Sequence, residues 1–164
     1  MISKRNNAAF IDGANLHKSA AGLGFRIDYT RLRTWLREKH GVETAFVFIG
    51  YVESNRALYA FLERAGYELV FKETTRDSEG NVKGNCDADF VLWAVRGYYE
   101  GYYEKAILVS SDGDYASLAG FLLARGSLEL ILSPNDWCSI LLLRTGAPIA
   151  YVRDVRPHIE SDQK

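Results

Sequence analysis

Three acidic segments of this chain could together bind a metal ion. They are Phe10-Ile11-Asp12-Gly13-Ala14-Asn15, Asp87-Ala88-Asp89 and Ser111-Asp112-Gly113-Asp114. Carboxylates gathered at one point repel each other unless a cation neutralises them. Sites built only from oxygen ligands suit Mg²⁺ or Mn²⁺, and ions held in this way activate water for attack on phosphodiester bonds. If the fold brings the segments together, they predict a divalent metal site for phosphoryl chemistry.

The elements that must position these segments alternate along the chain. Apolar runs of strand length occupy residues 8–11, 44–51, 67–72, 105–110, 127–132 and 148–152. Segments with helical periodicity include residues 28–39, 54–65, 87–99, 115–124 and 137–144. Most of the apolar runs are continuous, as is typical of strands buried on both faces of a parallel sheet. The pattern predicts an α/β fold, a three-layer α/β/α sandwich with a mostly parallel central sheet. The long polar connection over residues 73–85 is predicted to be a mobile loop.

This topology places the three acidic segments at one edge of the sheet. Asp12 follows the first predicted strand, and Asp112 follows the fourth. The helix that begins near Asp87 must run back before the next strand, so its N-terminus lies at the same edge. Active sites of open α/β sheets lie at this edge, beyond the carboxyl ends of the strands.

Helix geometry separates the two aspartates of the middle segment. At about 100° per residue, Asp87 lies in line with Phe90 on the face that should contact the sheet. Asp89 lies about 200° away from Asp87 and shares its face with Leu92. Asp87 is therefore the predicted ligand of the pair. The predicted metal ligands are Asp12, Asp87, Asp112 and Asp114.

Each of these aspartates also has a purely structural interpretation. Asp12-Gly13 and Asp112-Gly113 are ordinary turn signals, and Asp87 or Asp114 could cap a helix. A turn needs only one aspartate, however, and here four lie in three segments that the topology brings together. The set as a whole favours the metal site.

Other polar residues near the predicted edge could take part. Asn15 could orient an attacking water or hydrogen-bond a phosphate oxygen, although an asparagine early in a helix is often a cap. It joins the four aspartates as a predicted catalytic residue. Lys83 could reach a phosphate, and Ser110 and Ser111 could line the site, so these three are the predicted substrate-binding residues. No histidine accompanies the serines, which argues against a nucleophilic serine.

The composition limits the class of protein. Its 164 residues suit one domain over residues 8–156, with an N-terminal tail at 1–7 and a C-terminal tail at 157–164. Twenty basic against twenty-one acidic side chains give a net charge of −1, so any nucleic-acid binding must be local.

Cysteine use and hydropathy predict the compartment. Cys86 and Cys138 have no CxxC spacing, so we expect both to be reduced thiols in a cytoplasmic protein. No apolar run approaches the roughly 20 residues that span a bilayer, so we expect no membrane association. We expect the tyrosines within residues 98–103 to pack inside the protein or to form an interface. Such an interface would allow the chain to form a homo-oligomer.

The acidic motifs resemble those of the NYN domain family of PIN-like nucleases, including its LabA-like bacterial members. The resemblance covers nearly the whole chain. It rests on Phe10-Ile11-Asp12-Gly13-Ala14-Asn15-Leu16, Lys83-Gly84-Asn85-Cys86-Asp87 and Leu108-Val109-Ser110-Ser111-Asp112-Gly113-Asp114-Tyr115, followed by Leu118 and Gly126. It implies a PIN-like sheet and metal-dependent cleavage of RNA, single-stranded or structured. It matches the family's acidic residues to the four predicted ligands and its asparagine to Asn15.

Two departures from the family pattern leave an alternative open. Relatives often carry a further acid about six residues after the position of Asp87, where this chain has Trp93, and often have glycine at the position of Ser111. A non-catalytic RNA-binding or regulatory module of the same fold is therefore the second hypothesis. A toprim-like enzyme would have glutamate in place of Asp12, and a haloacid-dehalogenase-like enzyme would have aspartate in place of Ala14. Both classes therefore fit this sequence less well. Nucleotide-binding loops of the GxGxxG and GxxxxGK[ST] types do not occur.

Overall fold

The computed structural model describes residues 4–72, 74–83 and 86–162. For residues 82 and 83 it describes the backbone but not the side chains. Its strands are β1 (Asn7–Asp12), β2 (Val42–Gly50), β3 (Tyr67–Lys72), β4 (Thr75–Arg76), β5 (Val82–Lys83), β6 (Ala106–Val109), β7 (Leu128–Ser133) and β8 (Ile149–Tyr151). Six of these pair in parallel in the order β3-β2-β1-β6-β7-β8. Strands β4 and β5 form a separate antiparallel hairpin. The mostly parallel sheet with its helices confirms the predicted α/β fold.

Helices cover both faces of the sheet. They are α1 (Gly13–Ala20), α2 (Tyr29–His40), α3 (Arg56–Arg64), α4 (Asp87–Glu100), α5 (Ala116–Ala124), α6 (Ile140–Leu143) and α7 (Arg156–Ile159). One apolar cluster contains Leu36 of α2 and Leu62 of α3, and the other contains Phe90 of α4 and Leu118 of α5. No helix among the described residues is long and apolar enough to cross a bilayer.

Strand β1 lies between the two apolar clusters. Ala9 and Ile11 belong to the first cluster, whereas Ala8 and Phe10 belong to the second. Successive side chains of a strand point to opposite faces, so a strand covered on both faces must be apolar at every position. This explains why the strand reads as a continuous apolar run and lacks the alternation of a half-exposed strand.

The strand order reverses between β1 and β6. From β1 the chain proceeds outward through β2 to β3, crosses back through α4, and then proceeds outward in the other direction through β6, β7 and β8. The loops that leave β1 and β6 therefore diverge, and a crevice opens between them at the carboxyl ends of the strands. Ligands of open α/β sheets bind at such a switch point. Asp12 ends β1, and Asp112 follows β6 by three residues.

Three segments differ from the sequence prediction. The connection over residues 73–85, predicted to be a mobile loop, contains the β4–β5 hairpin. The helix predicted over residues 137–144 begins only at Ile140, because Asn135 accepts a hydrogen bond from the Trp137 amide in a turn and Ser139 caps the helix. Residues 157–164 were predicted to be a tail, but residues 157–159 belong to α7. This helix packs against α2 and buries Ile159 fully.

Candidate active site

Three of the four predicted carboxylates come together at the switch point. Asp87, Asp112 and Asp114 each offer an oxygen within 4.8 Å of the others. Asp87 is the first residue of α4, and the other two belong to the loop after β6. Asp89 lies outside this group, and its carboxylate is 3.8 Å from the ammonium of Lys72. Helix phase thus separates Asp87 from Asp89 as the sequence predicted.

The loop after β6 is shaped by a short cap and a close contact. The Asp114 amide donates a 2.9 Å hydrogen bond to Asp112 Oδ1, which caps the 3₁₀ helix Gly113–Tyr115 ahead of α5. A Cβ atom on Gly113 would collide with Ser139 Oγ. A larger residue between the two carboxylates would therefore require the side chain of Ser139, which caps α6, to move.

Asp12 is partly buried and makes three hydrogen bonds with its neighbours. Its Oδ1 accepts a 3.1 Å hydrogen bond from the Asn15 amide, so it caps α1 at the point where β1 ends. Its Oδ2 accepts longer hydrogen bonds from Ser110 Oγ, at 3.4 Å, and from the Tyr115 hydroxyl, at 3.3 Å. Burial, together with the nearby charges of Asp87 and Asp112, raises the pKa of Asp12. Asp12 is outside the group of three whose oxygens could meet on one ion.

Tyr115 links Asp12 to Asp87 and was not singled out by the sequence analysis. Its hydroxyl lies 2.8 Å from Asp87 Oδ1 and 3.3 Å from Asp12 Oδ2. The side chain is only 2% exposed, and its ring lies 4.2 Å from that of Phe90. Burial and the two carboxylates raise the pKa of Tyr115 far above its ordinary value, so the hydroxyl stays protonated and acts as a donor. Its position directly after the Asp112-Gly113-Asp114 motif was the available signal.

Asn15 and the two serines tie the loops of the site together. Asn15 Oδ1 accepts hydrogen bonds from the Ser111 amide, at 3.1 Å, and the Ser111 hydroxyl, at 3.2 Å. Ser110 Oγ accepts a 3.1 Å hydrogen bond from the Asp112 amide and donates to Asp12. Both serines are buried. Their hydroxyls hold the loops after β1 and β6 in register, whereas the sequence predicted them to line the substrate.

The donor set of the site fits a divalent cation. Asp112 and, to a smaller extent, Asp87 raise the pKa of the exposed Asp114, because each carboxylate disfavours the charge on the next. Three carboxylate oxygens at this spacing repel one another. A hard divalent ion such as Mg²⁺ removes that repulsion and prefers carboxylate oxygens.

A cleft of about 300 Å³ opens beside the carboxylates. Its walls include Asp12, Asn15, Asp87 and Asp112, and the basic residue Lys18 of α1 also lines it. Lys18 was not predicted from the sequence, where it reads as an ordinary solvated helix residue. The side chain of Lys83, the predicted phosphate contact, lies outside the described residues.

Trp93, where the resemblance implied a further acid, packs on the sheet. Its ring lies 5.5 Å from that of Phe46 and 6.0 Å from that of Phe48. It lines a separate groove with Phe46, Arg96 and neighbouring residues. In this chain the position contributes packing.

Comparisons with known proteins bear on the family and the fold. The family model described as the NYN domain matches residues 6–140, a range that includes all four predicted ligands. A solved structure of a protein of unknown function from Vibrio parahaemolyticus is similar with a TM-score of 0.75 and 20% sequence identity, covering 93% of this chain and 95% of that chain. At this identity the likeness shows a shared fold. A comparison with curated proteins gives no match.

Proposed function

Because the chain belongs to the NYN domain family, as its motifs predicted, we propose that it is a metal-dependent ribonuclease that hydrolyses RNA phosphodiester bonds. Family membership implies the PIN-like nuclease superfamily. The observation that carries the proposal is the meeting of Asp87, Asp112 and Asp114 within 4.8 Å at the switch point of the sheet. That is where an open α/β fold binds its substrate.

The three carboxylates would hold the ion, and the surrounding residues would hold the carboxylates. When bound, Mg²⁺ or Mn²⁺ supplies an activated water and neutralises charge on the phosphate. Tyr115 fixes Asp87 through its 2.8 Å hydrogen bond. Asp12 is linked to Asp87 through the hydroxyl of Tyr115. It would therefore add negative charge near the ion and help to orient Tyr115 and Asp87.

Asn15 and Lys18 line the cleft and would face a bound substrate. The Asn15 oxygen is engaged by Ser111, so a role toward a phosphate oxygen or the attacking water falls to its amide nitrogen. The Lys18 ammonium supplies a positive charge for the RNA backbone in a chain whose net charge is only −1.

The test is cleavage of a labelled single-stranded RNA, and of DNA of the same sequence, in Mn²⁺ and in EDTA. We expect RNA cleavage in Mn²⁺, none in EDTA, and loss of cleavage in Asp112→Asn. Asp89→Asn is the matched control, because it removes a carboxylate of the same helix that lies outside the group of three. Cleavage that survives both EDTA and Asp112→Asn would refute the proposal.

The second candidate, an RNA-binding module without turnover, is favoured by one observation. Trp93 packs on Phe46 and Phe48 at a position where relatives often have an acid, so the chain has one carboxylate fewer than those relatives. This candidate predicts RNA binding with no product in Mn²⁺ and an affinity insensitive to Asp112→Asn. Product formation that depends on Asp112 would eliminate it.

A further inference from the structure

A second cleft of about 300 Å³ continues from the acidic cleft across helix α1. Asn15 and Lys18 line both clefts. The far wall of the second cleft is the loop that follows β7, through Pro134, Asn135 and Asp136. A strand bound across the carboxylates would enter this second cleft after passing Asn15 and Lys18.

The loop after β7 is held firmly against the acidic motif. The Ser139 amide donates a 3.1 Å hydrogen bond to the Ser111 carbonyl, and the Trp137 amide donates a 3.0 Å hydrogen bond to Asn135 Oδ1. Two residues span at most about 7 Å, so the backbone of Trp137 lies close to the contact that Ser139 makes with the motif.

Trp137 directly follows Asp136, a wall residue of this cleft, and exposes its side chain to solvent. The residue is 84% exposed, although tryptophan is among the residues whose burial contributes most to stability. Its neighbour Asp136 lines the cleft itself. Proteins that bind single strands use exposed aromatic rings of this kind, because every base has a face on which a ring can stack.

The charges of the second cleft suit a polyanion. Asp136 forms an ion pair with Arg153, whose guanidinium nitrogens lie 2.8 Å from its carboxylate, so this acid is neutralised. Lys18 forms no ion pair within the part of the chain that the structure describes. Among the residues that the structure describes, Lys18 therefore offers an unpaired positive charge to both clefts.

From this arrangement we propose that Trp137 and Lys18 form a subsite for an unpaired nucleotide next to the scissile phosphate. Trp137 stacks on the base, and Lys18 contacts the backbone phosphate between that base and the carboxylates. The subsite selects single-stranded RNA, because a base in a duplex has no free face for the ring. The inference rests on the proposed function, in that the strand must cross the acidic cleft.

A protein partner is the competing occupant of this region. Ile140, Leu141 and Leu143 of α6 are also exposed and extend the apolar surface beyond Trp137. Nucleic acid is favoured because the surface borders a polar cleft that is continuous with the carboxylates and carries the free charge of Lys18.

The test measures binding of a fluorescein-labelled ten-nucleotide RNA by anisotropy in Mg²⁺, with Asp112→Asn present in every protein to prevent cleavage. We expect Trp137→Ala to weaken binding by about 5- to 150-fold, which corresponds to the free energy of about 1 to 3 kcal/mol that one stacking ring contributes. Trp137→Phe should retain most of the affinity. Lys18→Gln should reduce the slope of log affinity against log salt by about 0.7, the value for one phosphate contact of a single strand.

Two controls separate stacking from general effects. Tyr99→Ala removes another exposed aromatic side chain, 69% exposed and at the opposite end of α4 from Asp87, and should leave RNA binding unchanged. A duplex of the same sequence should bind more weakly and respond little to Trp137→Ala. RNA should also quench tryptophan fluorescence, and Trp137→Phe should remove most of that quenching.

The outcomes distinguish this subsite from the proposed activity. Unchanged RNA affinity in Trp137→Ala overturns the subsite, as does absence of RNA binding in the parent protein. A change of oligomeric state in Trp137→Ala at unchanged RNA affinity also overturns it and assigns the surface to a protein partner. If Trp137→Ala weakens RNA binding while the protein with Asp112 intact cleaves no RNA in Mn²⁺, the subsite stands and the nuclease proposal fails.

Discussion

Without metal, the Asp112→Asn variant should be more stable than the wild-type protein. With metal bound, the variant should be less stable than wild type. Asp112 lies within 4.8 Å of Asp87 and Asp114, so its charge opposes folding when no cation is bound. Asparagine keeps the oxygen that accepts the 2.9 Å hydrogen bond from the Asp114 amide, and it is as good a helix cap as aspartate. The substitution therefore changes the charge and little else.

The magnitude follows from the spacing of the carboxylates. Two unit charges 4.8 Å apart repel by about 0.9 kcal/mol at the dielectric constant of water and by about 3.5 kcal/mol at the effective value of 20 near a protein surface. For the half-buried pair of Asp87 and Asp112 the value lies between these limits. Removing a negative charge from the start of a helix opposes the gain by about 0.3 to 1 kcal/mol. We expect a net stabilisation of about 1 to 2 kcal/mol, or roughly 2 to 8 °C in Tm.

Metal should reverse this order. An ion that binds only the folded protein stabilises it by about 4.1 kcal/mol at a concentration 1,000-fold above its Kd. Wild type should receive this stabilisation in full, whereas Asp112→Asn has lost one of three ligands and should receive less. Wild type should therefore melt below the variant in EDTA and above it in excess Mn²⁺.

The assay is thermal unfolding by calorimetry in EDTA and across a Mn²⁺ titration. Asp89→Asn serves as the control, because Asp89 lies near Lys72 and outside the group of three. It should melt slightly below wild type in EDTA and show the same response to Mn²⁺. An Asp112→Asn variant that melts below wild type in EDTA would show that Asp112 does not destabilise the metal-free fold, and one that gains as much from Mn²⁺ as wild type does would show that Asp112 does not bind the ion.

Three further substitutions test the surroundings of the site and the pH response of the fold. Tyr115→Phe removes the donor to Asp87 and should lower stability by about 1 to 3 kcal/mol in urea unfolding and weaken Mn²⁺ binding in calorimetric titration. Gly13→Ala would place a Cβ atom 2.9 Å from the Phe48 carbonyl oxygen and should cost about 1 to 3 kcal/mol in the same unfolding assay, whereas unchanged stability would show that α1 can shift. Burial lowers the pKa of His40, so the unfolded chain binds a proton at this residue more readily than the folded chain does. The free energy of unfolding should therefore fall as the pH drops through the ordinary histidine value of about 6.5. His40→Gln should show a smaller fall between about pH 7.5 and about pH 5.5.

The strands were predictable because the physics that forms them is local. A run such as Ala106-Ile107-Leu108-Val109 must be buried on both faces, and the alternation of such runs with helices leaves few topologies. The hairpin within residues 73–85 was not predictable in the same way. Its strands are two residues each and carry no apolar pattern, so their pairing depends on turn contacts such as those that Asp77 makes with Glu79 and Asn81.

The site was predictable where a residue's chemistry shows in its type, and otherwise was not. Carboxylates at strand ends are visible in a sequence, and helix phase separates Asp87 from Asp89. Tyr115 looks like a core aromatic, because the two partners of its hydroxyl lie 28 and 103 residues away. Lys18 looks like a solvated lysine until the fold places it between two clefts.

The position of Asp87 shows why the missed tyrosine matters for the site. Asp12 and Asp112 follow the paired strands β1 and β6, so the backbone ladder brings them near each other before the side chains of Asn15 and the two serines join their loops. Asp87 belongs to a crossover helix and has no such ladder, so its place relative to the other carboxylates depends on side chains. Tyr115 supplies that link twice, through its ring against Phe90 in the first turn of α4 and through its hydroxyl on Asp87 itself. Because the tyrosine directly follows Asp114, the same short loop that provides two carboxylates also positions the third.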